Sequence, residues 1–150
     1  MLAGQIRALV LCLFRDGDRI LVSRDYDSVK RNYYYRPLGG GIEFGETSRD
    51  AIVREIREEL GAEIEDVRWL GTLENIFTLE GEPGHEIVLV YDARFVDRLL
   101  YEQDVVLGQE PEIGATFQAE WMTLEDLVKS PARFVPEGLA TLIMQWTHTR

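Results

Sequence analysis

Cysteine is almost absent: Cys12 is the single one in 150 residues, so an internal disulfide is excluded and the thiol, set in "ALVLCLF", reads as a small core hydrophobe. Histidine is nearly as scarce. His85 follows a turn signal and has no Cys or second His at metal-ligand spacing, since His148 stands near the expected frayed end. Basic charge is in deficit, with 16 Lys plus Arg against 27 Asp plus Glu and a formal net charge of −11. That balance disfavours a polyanionic strand held by direct charge pairing, so nucleic acid is not the favoured partner. No apolar run reaches the roughly 18 residues of a spanning helix. The opening "MLAGQIRALVLCLFRDG" also lacks the basic leader and cleavage pattern of a signal peptide. The expectation is a cytoplasmic protein without a membrane partner. Low-complexity tracts, internal repeats and linkers are missing too. With 45% hydrophobic and 29% charged residues, the composition predicts one globular domain over residues 1–150.

What is present alternates between strand and helix signals. "QIRALVLCLF" and "RILVSR" flank the turn "DGD" and predict a hairpin. "DYDSVKRN" reads as loop, Tyr33, Tyr34 and Tyr35 follow, and "RPLGGGIEFGE" over residues 36–46 predicts a glycine-rich loop. Thr47 with Asp50 has the form of a capping box, so a helix is expected from Ser48 to Leu60, with Gly61 as its left-handed stop. Ile52, Val53, Ile56 and Leu60 form its apolar face. Beyond it, "DVRWLGTLENIFTL" and "HEIVLVYDARFV" predict a second hairpin around the turn "EGEPGH". "LGQEPEIGAT" reads as loop, "FQAEWMTL" as strand, Thr123 as the start of a short helix, and Pro136 as the opening of an amphipathic C-terminal helix. The class is α/β with a mixed or largely antiparallel sheet.

The helix carries the chemistry. Glu55, Glu58 and Glu59 fall within an arc of roughly 100°, where each like-charge neighbour costs on the order of 0.2–0.5 kcal/mol. A positive group among them is therefore expected. A solvated face with Arg54 and Arg57 as counter-charges is the plain alternative. A divalent cation is the other, because hard carboxylate oxygens suit Mg²⁺ or Mn²⁺. Such an ion also draws an anionic pyrophosphate to an acidic protein and activates a water.

Gly40, Glu46, Arg54-Glu55-Ile56, Glu58-Glu59 and Gly61 stand at the spacing G-x5-E-x7-R-E-U-x-E-E-x-G-U, U being aliphatic. This stretch resembles the box of the Nudix hydrolases, the family of the MutT-type enzymes. It departs where Ala62 fills the last aliphatic place and where Leu38 replaces a frequent proline, with Pro37 one position early. The resemblance implies an α/β/α sandwich with a mixed sheet and a catalytic loop-helix. It implies Glu58 and Glu59 as primary metal ligands, Glu55 as a ligand or the handler of the attacking water, and the Gly40 carbonyl as a further ligand. Arg54 would orient the box carboxylates, and Glu46 would anchor the loop to the helix. The general base varies in the family, and some members take it from a loop outside the box. Here Glu112 is favoured, with Glu110 and Glu120 as alternatives.

The implied activity is Mg²⁺-dependent hydrolysis, with Mn²⁺ as a substitute, of a phosphoanhydride in a small nucleoside diphosphate derivative. Because "VRWLGTLENIFTLEGE" lacks the proline or tyrosine that members handling ADP-ribose or dinucleoside polyphosphates often carry downstream of the box, those substrates lose weight, and the lean single-domain size makes an oxidised or ordinary nucleoside triphosphate the leading expectation. Nucleotide-sugar or dinucleotide cleavage, RNA 5′-end processing and a binding module without turnover are the alternatives. Members are often homodimers. Arg24, Lys30, Arg31 and Arg36 are candidate phosphate contacts, and one of Tyr33, Tyr34 and Tyr35 a candidate for stacking on a base.

Overall fold

Strand β1 (Ile6–Asp16) sends alternate side chains to opposite faces, and both sets are apolar. Val10, Cys12 and Phe14 are fully buried on one side, Leu9, Leu11 and Leu13 on the other. A strand of this kind needs cover on both faces. In the computed structural model, which describes residues 4–147, helix α1 (Ser48–Leu60) supplies Ala51, Ile52 and Ile56 to the first face. Helices α2 (Leu124–Lys129) and α3 (Leu139–Thr147) supply Leu127, Leu139 and Ile143 to the second. The result is the expected α/β/α sandwich, each buried large aliphatic side chain contributing about 1.5–3 kcal/mol. Among the described residues no helix is long and apolar enough to cross a membrane. His148 lies outside the described residues.

The other strands are β2 (Arg19–Asp27), β3 (Asn32–Gly41), β4 (Ile64–Leu79), β5 (Glu82–Phe95), β6 (Val105–Glu110), β7 (Ala115–Thr123) and the short β8 (Arg133–Phe134). The sheet runs β4-β5-β1-β3-β2-β7-β6, with β8 beside β3. The β1–β5 and β3–β8 pairs are parallel and the others antiparallel, giving the mixed sheet anticipated. Strand β3 joins its two parts: Asn32–Pro37 pair with β2, and Leu38–Gly41 pair with β1.

Both expected hairpins form, and α1 has the expected bounds. Thr47 accepts from the Asp50 N–H at 3.1 Å, and Gly61 turns left-handed at φ 64°. Glycine-rich segments account for most differences. Residues 36–41, expected in a loop, complete β3, because Gly39 lets two backbones meet: a Cβ there would stand 2.0 Å from the Val10 carbonyl oxygen. The turn "EGEPGH" shrinks to Glu80 and Gly81, at φ 53° and 79°, the positive pair that suits a two-residue hairpin. Pro83 and Gly84 then belong to β5, where the Phe77 ring covers Gly84 from the facing strand. Residues 107–116, expected as loop, are mostly the β6–β7 hairpin, and Phe117 covers Gly108 in the same way. In each pair an aromatic ring fills the space over a glycine that local composition marks as loop. The C-terminal helix opens at Leu139 rather than Pro136, since Gly138 at φ 91° cannot continue a right-handed helix. The 3₁₀ turn Arg98–Tyr101 had no expectation attached.

Candidate active site

Helix α1 lies with its apolar residues on the sheet and its acids along one border. Glu59 is the exception to the polar-outside rule: it is 4% exposed, among the buried residues of the helix. Its Oε1 has no hydrogen-bond partner. Burial, then the nearby carboxylates of Glu110 and Glu55, push its pKa up to about 9, while Arg36 acts weakly in the opposite sense. Glu110, at the end of β6, is pushed upward as well, first by burial and then by Glu55 and Glu112 against the pull of Arg36. Three carboxyl groups from two elements thus lie close enough to oppose one another's ionisation.

Arg54 organises the other side. Its Nε and Nη2 donate to the two Glu46 oxygens at 2.7 and 2.9 Å, Nη1 donates to Glu55 at 3.0 Å and Glu58 at 3.2 Å, and Nη2 also reaches the Gly41 carbonyl at 3.0 Å. The two-pronged pair with Glu46 is the planar match that guanidinium and carboxylate favour. It holds the Glu46 carboxyl below the usual carboxylate range and raises the arginine further. Glu46 in turn accepts from the Glu43 N–H at 3.1 Å, so the loop after β3 is tied to the helix. Gly40 lies against Glu55, where a Cβ would come within 2.4 Å of the carboxylate carbon.

Gly40, Arg54, Glu55 and Glu59 stand together, and Glu58 faces Arg54 with 43% of its side chain exposed. Arg57 is not a counter-charge to this group, because it pairs with Glu63 at 2.7 Å. Glu112 sits exposed in the turn after β6, whereas Glu110 lies near Glu55 and Glu59. Glu120 is half-buried on β7 and lines a cavity with Glu110 and Arg36. Of the four basic candidates, Arg24 stacks on Tyr33, Lys30 donates to the Thr78 carbonyl, Arg31 is exposed, and Arg36 lies near the acids. Tyr35 is core, Tyr33 is exposed, and Tyr34 lines a second cavity. His85 is half-buried on β5 and its Nε2 has no partner.

Sequence reasoning passed over Glu43 and the polar lining of the Tyr34 cavity, Asn32, Asn75 and Glu86. Alternation within β3 was the available signal for Asn32; nothing local marks Glu86 as buried.

Among the described residues no ready-formed group of His, Cys, Asp and Glu closes a metal cage. Glu58 would have to leave Arg54 to join one. The donor chemistry nevertheless fits a hard divalent cation, because Glu59 offers a buried, unpaired oxygen beside Glu55 and Glu110.

The NUDIX domain model matches residues 4–142. NAD-capped RNA hydrolase NudC of Pseudomonas aeruginosa is 29% identical over 124 residues, 83% of this chain and 38% of that protein. The Pseudomonas putida counterpart is 30% identical over 128 residues, 85% of this chain and 40% of that protein. The chain therefore spans about two fifths of the length of these curated relatives. Among solved structures, a MutT NUDIX hydrolase from Burkholderia pseudomallei aligns with a TM-score of 0.65 and 24% identity, covering 95% of this chain and 98% of that one. A protein described as an ADP compounds hydrolase aligns at 0.65 and 19%, covering 95% and 74%. These likenesses show the fold, and the match over residues 4–142 shows the family: the chain belongs to the Nudix hydrolases.

Proposed function

We propose that the protein hydrolyses a pyrophosphate linkage in a small nucleoside diphosphate derivative, with a nucleoside triphosphate as the leading substrate. The observation that carries this reading is the buried Glu59 carboxyl, with one oxygen unpaired, near Glu55 and Glu110. Glu58 and Glu59, with Glu55 and the Gly40 carbonyl, would hold Mg²⁺ or Mn²⁺. When bound, the ion lowers the pKa of water and offsets charge on the phosphate oxygens.

Water attacks one phosphorus, and the bridging oxygen leaves with the other phosphate. Glu110 accepts the proton released by the water. We prefer it to Glu112 because it lies near Glu55 and Glu59 and because its raised pKa brings it nearer to working pH. Arg54 keeps Glu55 and Glu58 oriented through the Glu46 clamp. Arg36 supplies positive charge to the phosphates beside the acids.

A second reading, cleavage of a dinucleotide or capped RNA end, draws on relatives named as NAD-capped RNA hydrolases and on a structural neighbour described as an ADP compounds hydrolase. The test is a panel of nucleoside triphosphates, NAD, ADP-ribose and NAD-capped RNA with Mg²⁺. Native protein is compared with Glu58→Gln and Glu59→Gln, each expected to lose about a hundredfold or more in turnover. Full activity in both variants would refute the site, and tight binding with no turnover of any member would make the protein a sensor.

A further inference from the structure

A cleft opens between the N-terminal half of β3 and the β4–β5 hairpin. Arg36 lines both this cleft and the cavity that contains Glu110. A ligand placed in the cleft therefore shares Arg36 with the cavity that holds Glu110.

The cleft walls are apolar and aromatic, with Leu9, Tyr34, Phe77 and Leu79, which suits the faces of a flat ring. Its polar groups are unusual for such a lining. Asn32 Oδ1 is buried without a hydrogen-bond partner. Glu86 is 7% exposed, and the contact from Asn75 Nδ2 to it is long, 3.5 Å. The buried Asp27 carboxylate, also in the lining, is already occupied by the backbone N–H groups of Val29, Lys30 and Glu80. Two acceptors thus remain with capacity for a donor. A buried acceptor left unmatched is costly, so the ring edge that enters should carry N–H groups rather than carbonyl oxygen. A simple cation is disfavoured because Arg36 and Arg133 share the lining.

We propose that this cleft holds the base of the substrate and that Asn32 and Glu86 select a purine bearing an exocyclic amine. The proposal rests on the hydrolase reading for its ligand class. An amine donates two N–H bonds to the available oxygens, whereas the hypoxanthine ring has the same size and no amino group. Discrimination of about tenfold or more is expected, the scale of one well-placed base contact.

Calorimetric titration with ADP, GDP and IDP in the presence of a chelator measures the preference without turnover. Native protein should bind ADP or GDP at least about tenfold more tightly than IDP. Asn32→Ala and Glu86→Gln, each checked for a native thermal transition, should reduce that ratio to within about threefold. IDP binding as tightly as both others, or a ratio unchanged in both variants, overturns the proposal. The amino preference with no hydrolysis of any nucleotide would leave the base cleft standing and remove the hydrolase reading. Equal hydrolysis of ATP, GTP and ITP at equal kcat/KM would do the reverse.

Discussion

Gly39 and Gly40 are neighbours with different physical duties. An added Cβ at Gly39 meets the Val10 backbone oxygen at 2.0 Å, and a strand paired on both sides cannot retreat. At Gly40 the obstruction is the end of the Glu55 side chain, 2.4 Å away, which can swing aside. Gly39→Ala should therefore lower stability by about 1–3 kcal/mol or more, a fall of about 2–4 °C in Tm per kcal/mol for a chain of this size. Gly40→Ala should leave Tm nearly unchanged while kcat/KM falls by up to about a hundredfold, because Glu55 is moved from its place. Thermal unfolding and steady-state kinetics on the two variants separate these effects, and a common stability loss would contradict the assignment. The residue scale also marks where sequence reading stops. Glu55, Glu58, Glu59 and Arg54 are legible because their spacing is local. Glu110 meets Glu59 only after β6 is laid beside α1, and in the sequence it is one acid of several in an apparent loop.

At the scale of the element, α1 is the part most fully written in its own sequence. Its cap, apolar stripe and stop depend on contacts within one or two turns, so the bounds Ser48 and Leu60 are legible. Strands β5 and β6 are different, because whether a glycine belongs to a loop is decided by an aromatic ring on the partner strand, as Phe77 does for Gly84 and Phe117 for Gly108, and in β3 the close approach of the Val10 backbone decides it at Gly39. The stop at Gly61 provides a direct check on the helix. Its φ of 64° disfavours any side chain, while nothing lies within 4 Å of an added Cβ. Gly61→Ala should then cost about 1–2 kcal/mol from backbone strain alone. Denaturant unfolding should show a lower midpoint with an unchanged slope, and a midpoint equal to that of the native chain would mean that the left-handed stop carries no strain.

For the whole molecule, the excess of acid and the site meet at Glu59. A chain of net charge −11 places a carboxylate in its interior, next to two others, with one oxygen unpaired. Such an arrangement lowers stability unless positive charge arrives, so conformational stability and site chemistry are coupled. Burial and the neighbouring acids hold the carboxyl protonated until a cation is bound, at a cost in stability, and replacing Glu59 by Gln removes that cost with little change in shape. In a chelator, Glu59→Gln should unfold at a higher temperature than the native protein, although its turnover with Mg²⁺ should be about a hundredfold or more lower. Saturating Mg²⁺ should reverse the order. At about a hundred times its dissociation constant, a ligand specific to the folded state adds about 2.7 kcal/mol, or about 5–10 °C in Tm at this chain length. The native protein should gain that increment and the variant much less. Scans of both proteins with and without Mg²⁺ decide the matter: equal responses would place the cation elsewhere, and a native protein that is the more stable of the two in chelator would show that the buried carboxylate is already satisfied.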